Sequence, residues 1–137
     1  MEQNKILNIG SVFVIVASIF INFNNFLIGR ASSGLHILTS ILYAIFWYAF
    51  ILILKNNKKS MAYSAVWGSL TFISALLTLI VNLKTMILDW AIPMVMVFIT
   101  PLYGIEAMFP QSKFLFTSIV ILIISFSWIM MSLFFSK

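Results

Sequence analysis

The chain has 137 residues, of which 63% are hydrophobic and only 8% are charged, and its formal net charge is +5. About a quarter of the residues of a soluble globular domain are charged, so this composition excludes that class and predicts a membrane protein. Cysteine is absent, which excludes disulfides and thiolate metal ligands. No basic stripe is interleaved with exposed aromatic residues, so we expect no nucleic-acid partner.

Apolar stretches of about 20 residues, the length that crosses a bilayer as a helix, follow one another along the chain. They cover residues 6–28, 35–54, 61–83, 86–108 and 114–135. Strands exposed to lipid would leave backbone groups unpaired, so each stretch is predicted to be helical. We therefore expect an all-α polytopic membrane protein, a single domain over residues 1–137 that forms one bundle of five transmembrane helices. The alternative has four spans and a re-entrant fourth stretch.

The basic residues predict an orientation for these spans. With five spans, one side of the membrane carries Lys5, Lys55, Lys58, Lys59 and Lys113, and the other carries Arg30, Lys84 and Lys137. The side with more basic residues is expected to be cytoplasmic. This rule places the N-terminus inside and the C-terminus outside a plasma membrane. It also makes the KNNKKS sequence at 55–60 a topology anchor rather than a lipid-headgroup site.

Small and weakly polar side chains recur at steps of three and four residues along the third stretch. They are Ser64, Gly68, Thr71, Ala75 and Thr78. This spacing places them on one helix face. Helices in lipid associate where small residues let their backbones approach, so the face is predicted to pack against another helix. Ser118, Ser125 and Ser132, at steps of seven, predict the corresponding face of the last stretch, with a pore lining as the alternative.

The fourth stretch contains Pro93 and Pro101. Each proline removes a backbone donor, and Pro101 leaves the carbonyl of Val97 without its helical partner, so we expect a kink. A kink that serves only packing is one interpretation, because neighbouring hydroxyls can satisfy the freed backbone. A broken helix that binds an ion or a substrate, as in transporters, is the other.

Polar residues cluster at the ends of the spans on the predicted outer side. They are Asn22, Asn25, Arg30, His36, Asn82 and Asp89. Together they could form a vestibule for a peptide, a headgroup or an ion, or they could be ordinary interfacial residues. One histidine, no cysteine and two distant carboxylates predict neither a metal site nor a cofactor. Asp89 and Glu106 are separated by about 25 Å of helix rise, too far to act as a pair.

No sequence motif identifies a reaction, and no nucleophile-elbow pattern G-x-S-x-G surrounds any serine. We therefore expect a protein that is not an enzyme. The favoured function is that of an accessory, binding or immunity-type protein that works through helix–helix contacts. Its expected partners are membrane lipids and either another membrane protein or further copies in a homo-oligomer. The alternative is a small oligomeric transporter or channel built around the fourth stretch.

Overall fold

The structure is a computed structural model that describes residues 2–29, 33–83, 89–109 and 115–136, with the backbone alone for residues 2–4. All regular elements in these ranges are helical, which confirms the predicted all-α bundle. The α-helices are α1 (Glu2–Ile28), α2 (Gly34–Ile53), α3 (Lys58–Asn82), α4 (Ile92–Phe98) and α5 (Leu115–Ser136). Short 3₁₀ helices precede and follow α4, at Asp89–Ala91 and Thr100–Met108.

Four of these helices, α1, α2, α3 and α5, are long and apolar enough to cross a bilayer. The 3₁₀ helices and α4 form the bent segment, residues 89–108, which turns by 82° near Ile99 and could count as a fifth span or as a re-entrant loop. Pro93 and Pro101 both lie within the first two positions of a helix, where a missing N–H costs no hydrogen bond. Each proline therefore lies at the start of a short helix, and the 82° bend between the two helices occurs where a kink was expected.

The most extensive packing in the described residues is between α3 and α5. Ser64 on α3 contacts Ser132 on α5 at 2.8 Å, and eight residues later Phe72 on α3 lies beside Phe126 on α5. Rising residue numbers on one helix thus meet falling numbers on the other, so α3 and α5 are antiparallel. Of the small-residue face, Ser64, Gly68, Thr71 and Ala75 are buried and Thr78 is half-buried.

The helix α2 is antiparallel to α3, because Phe50 contacts Tyr63 while Tyr43 accepts a hydrogen bond of 2.8 Å from Trp67. The aromatic side chains along this contact form the centre of the bundle. Trp47 is fully buried, lies parallel to Trp67 with ring centroids 5.8 Å apart, and also touches Trp128 of α5. These rings fill the space between α2, α3 and α5 at mid-height.

The helix α1 is parallel to α3. Ser60 donates a hydrogen bond to Asn8 over 3.4 Å, and one turn further the hydroxyls of Ser11 and Tyr63 are 3.2 Å apart. It follows that α1 and α3 begin, and α2 and α5 end, at one end of the bundle, which we call the proximal end. At the opposite end, which we call the distal end, α1 and α3 end and α2 and α5 begin.

The bent segment enters the bundle from the distal end and returns to it. The ring centroid of Phe98, just before the bend, lies 4.7 Å from that of Trp67 near the middle of α3. Gly104, after the bend, reaches His36 in the first turn of α2, which is again distal. These contacts favour the re-entrant alternative over a fifth span. The directions of α1, α3 and α5 place residues 2 and 136 at the same end of the bundle, whereas the sequence predicts termini on opposite sides.

Candidate functional site

A buried polar cluster lies where the bent segment packs against α1 and α2. Its centre is Ser40, whose hydroxyl donates to the carbonyl of Pro101 over 2.9 Å and accepts from the backbone N–H of Gly104 over 2.9 Å. Asn22 Nδ2 adds hydrogen bonds to the same carbonyl (3.2 Å) and to Ser40 Oγ (3.4 Å). Two side chains thereby give hydrogen-bond partners to buried backbone groups of the 3₁₀ helix.

Gly104 allows the two backbones of this site to touch. A Cβ atom at this position would lie 1.9 Å from the carbonyl oxygen of His36 and 2.7 Å from the nitrogen of Ile37. Both neighbours are backbone atoms of α2, so no side-chain rotation can relieve the overlap. Only glycine fits, and the 3₁₀ helix is held directly against the first turn of α2.

Two buried oxygens beside the bend have no hydrogen-bond partner among the described residues. They are Asn22 Oδ1 and Thr100 Oγ1, and both residues are fully buried. A buried polar atom without a partner costs roughly 1–3 kcal/mol. Such a cost is usually avoided by a water molecule or another bound group. The bend at Ile99 is therefore one place in the described bundle where a small polar species would gain hydrogen bonds.

His36 is engaged in the start of α2. Its Nδ1 accepts from the backbone N–H of Ser33 over 3.0 Å and lies 2.6 Å from the Ser33 hydroxyl, and Asn25 Nδ2 is 3.3 Å away. The ring thus closes the first turn of α2 and joins it to α1. Among the described residues, the Ser40 hydroxyl bonds to Asn22 and to two backbone groups and not to this ring.

Two further residues of the predicted outer-rim site, Asn82 and Asp89, have no described contact with this cluster. Asn82 donates a hydrogen bond to Thr78 of its own helix, and Asp89 is exposed, without a described contact to His36. Arg30 lies outside the described residues. Of the predicted set, the structure therefore groups Asn22, Asn25 and His36 around the contact of α1 with α2. A vestibule that also includes Asp89 stays a prediction.

Within the described ranges, histidine, aspartate and glutamate form no group of three that could hold a metal ion. No protein-family model, curated protein or solved structure matches this chain. What the cluster can do chemically follows from its own atoms. It offers hydroxyl, amide and carbonyl oxygens, which suit a water molecule or a small cation, and it holds the bent segment in place.

Sequence reasoning missed Ser40 and Gly104 as parts of this site. It placed Asn22 at the wet outer rim, whereas the side chain is fully buried. A signal existed for Ser40, which lies one helical turn after His36 on the same face of α2. Gly104 carried no periodic signal, because its partner is the backbone of a helix more than sixty residues earlier in the chain.

Proposed function

We propose that this protein is a non-enzymatic, multi-pass membrane protein that acts by binding another membrane helix, as an accessory or immunity-type protein does. The observation that carries the proposal is the outer face of α1. We define this face by Gly10, Phe13, Ala17, Phe20 and Asn24. It is the side of α1 that the bundle leaves uncovered.

The exposure of this face is pronounced. Phe13 is 76% exposed and Phe20 is 85% exposed, and a Cβ atom added to Gly10 would meet nothing within 4 Å. The five residues follow at steps of three and four, so they form one stripe along the helix. Small residues at 10, 17 and 24 alternate with phenylalanines at 13 and 20, each set repeating every seven residues. That repeat matches two helices crossing at about 20°, where bulky side chains of one fit over small residues of the other.

A protein helix suits this face better than lipid does. Lipid chains adapt to any apolar surface, so they gain nothing from a regular alternation of smaller residues with phenylalanine. Asn24 is exposed near the end of α1, and its amide would gain hydrogen bonds from a neighbouring helix. Among the four long helices, α1 also has the smallest buried share, which leaves it the most surface for a partner.

Single-cysteine cross-linking tests this proposal cleanly, because the chain has no cysteine of its own. Ala17→Cys introduces a thiol at the centre of the α1 face, and Ile123→Cys places one on the exposed side of α5, where the native residue is 64% exposed. In native membranes, a cross-linked product from the Ala17 variant and none from the Ile123 variant is expected. A product of twice the chain mass identifies a second copy, and another mass identifies a different protein. Equal yields from both positions would contradict the proposal.

The bent segment supports one alternative function, a small oligomeric transporter or channel. Discontinuous helices in transporters place backbone and side-chain oxygens against an ion or substrate. Here the unpartnered oxygens of Asn22 and Thr100 lie beside such a break. If this function is correct, purified protein in liposomes conducts or exchanges a small solute, and Thr100→Val lowers that flux while the protein stays monodisperse. The filled aromatic centre around Trp47 makes a path through one copy the weaker interpretation.

We further propose a plasma-membrane location with the proximal end in the cytoplasm. All lysines whose side chains the structure describes lie at that end; they are Lys5, Lys55, Lys58 and Lys59. Asp89 and Glu106 belong to the distal bent segment. This distribution follows the preference of basic residues for the cytoplasmic side. Residues 2 and 136 would then both be cytoplasmic. A reporter that works only in the cytoplasm should be active when it is fused after residue 137, and a reporter that works only outside the cell should be inactive there.

A further inference from the structure

An open depression lies at the proximal end, where α2 ends and α3 begins. Its volume is about 360 Å³, and it is lined by Ile53, Leu54, Asn56, Asn57, Lys58 and Lys59. The lysines whose side chains are described at this end are all exposed. The depression thus opens beside the exposed lysines of the proximal end. These lysines follow or precede apolar spans in the sequence, so they are expected at one edge of the hydrocarbon core.

The lining changes from apolar to basic across the depression. Leu54 is buried, and Ile53 is 59% exposed on the apolar surface of α2. Lys58 and Lys59 are exposed in the first turn of α3, where the helix dipole adds a partial positive charge. Asn57 Oδ1 accepts from the backbone N–H groups of Lys59 and Ser60, which fixes this turn. Ile53 and Leu54 therefore form an apolar wall that suits hydrocarbon, and Lys58 and Lys59 form a basic wall that suits an anion.

The positive charge at this end is larger than that of the hairpin between α2 and α3, residues 54–60, alone. The contact between Asn8 and Ser60 places α1 beside the start of α3, and Lys5 lies one turn before Asn8. Four lysines are thereby collected at one end, the lower limit of the clusters that recognise acidic lipids. The two carboxylates whose side chains are described, Asp89 and Glu106, lie in the distal bent segment, away from these lysines.

We propose that this depression binds the headgroup of an anionic phospholipid, with the phosphate between Lys58 and Lys59 and the acyl chains along Ile53. A lipid is the occupant that satisfies both walls at once, because it joins a phosphate to hydrocarbon. A free phosphate would leave the apolar wall unused. Lys55 is exposed in the same hairpin but does not line the depression, so it contributes only to the general attraction.

The test compares two double variants that remove the same charge. Lys58→Gln with Lys59→Gln removes both lysines of the depression, whereas Lys5→Gln with Lys55→Gln removes two lysines outside it. Binding is measured by native mass spectrometry, and by the rise in Tm when phosphatidylglycerol replaces phosphatidylcholine in nanodiscs. Losing about 1 kcal/mol per lysine converts to a roughly thirtyfold weaker affinity for phosphatidylglycerol in the first variant. In the second variant a loss of no more than about threefold is expected.

Three results would overturn the proposal. Equal losses in the two double variants would mean diffuse attraction to an acidic surface and no site. Equal Tm values of the wild-type protein in both lipids would mean that no anionic headgroup is recognised. A rise in Tm with inorganic phosphate as large as that with phosphatidylglycerol would assign the depression to a soluble anion. Both variants change exposed residues only, so their Tm in phosphatidylcholine should equal that of the wild-type protein.

Discussion

The packing of α3 against α5 and the packing of the bent segment against α2 both depend on a glycine, and they differ in kind. At Gly68 the nearest atom to an added Cβ would be the side chain of Ile129, at 3.2 Å. At Gly104 the nearest atoms are α2 backbone, at 1.9 Å. At Gly68 the closest atom belongs to a side chain that can shift, and the α5 backbone begins at 3.4 Å, whereas at Gly104 the overlap is with backbone that cannot move aside. The helix pair should therefore tolerate changes that the bent segment does not.

The largest effect is expected from Gly104→Ala. Its methyl group would overlap the carbonyl of His36, so the 3₁₀ helix would have to leave α2 and break the hydrogen bonds of Ser40. We expect a loss of about 3 kcal/mol or more in the free energy of unfolding, at the upper end of overpacking effects. Thermal unfolding in detergent measures it. Gly34→Ala is the matched control, because nothing lies within 4 Å of its added Cβ. Similar Tm values for the two variants would show that the bent segment moves freely.

A smaller but clear effect is expected from Gly68→Leu. The added side chain would press on Ile129 and on the carbonyl oxygen of Ser125, so α3 and α5 would have to separate. A loss of about 2 kcal/mol is expected, whereas Gly68→Ala should cost less than about 1 kcal/mol because Ile129 can give way. Tm in detergent distinguishes them. If leucine at 68 is harmless, this face of α3 does not carry the packing with α5.

These two contacts also show what the sequence could and could not predict. The spans and the small-residue face could be predicted from the sequence. Regular helices repeat their contacts every three or four residues, as Ser64 and Gly68 do. The return of the bent segment was readable only as an alternative, since its length alone fits a full span. The burial of Asn22 and the contact of Gly104 with His36 could not be predicted from the sequence. They arise from single tertiary contacts that leave no period in the sequence.

Ser40→Ala should weaken the bent segment without displacing it. The change removes the acceptor for the N–H of Gly104 and one donor to the carbonyl of Pro101, and all these groups are buried. Leaving them unsatisfied should cost about 1–3 kcal/mol. Ser69→Ala is the control, because that hydroxyl donates to the carbonyl of Ala65 in its own helix. Chemical unfolding in detergent compares the two. Equal small losses would mean that water replaces the Ser40 hydroxyl.

The smallest effect should come from the hydroxyl pair between α3 and α5. Ser64 and Ser132 approach to 2.8 Å, and each is also within reach of a carbonyl in its own helix, Met61 and Trp128 respectively. Two hydroxyl groups carry only two protons for these three contacts, so the link between the helices forms only if one serine gives up its own carbonyl. Its net contribution should therefore be small.

A double-mutant cycle with Ser64→Ala, Ser132→Ala and both together measures this link by unfolding in detergent. A coupling energy of about 0.6 kcal/mol is expected, the average for hydrogen bonds between membrane helices. A coupling above about 1.5 kcal/mol would mean that the antiparallel pair is held by polar bonds, as the bent segment is, and the contrast between the two regions would fail. A value near the expected one leaves close backbone approach at Gly68 as the main reason that α3 and α5 stay together, because alanine preserves that approach while it removes the hydroxyls.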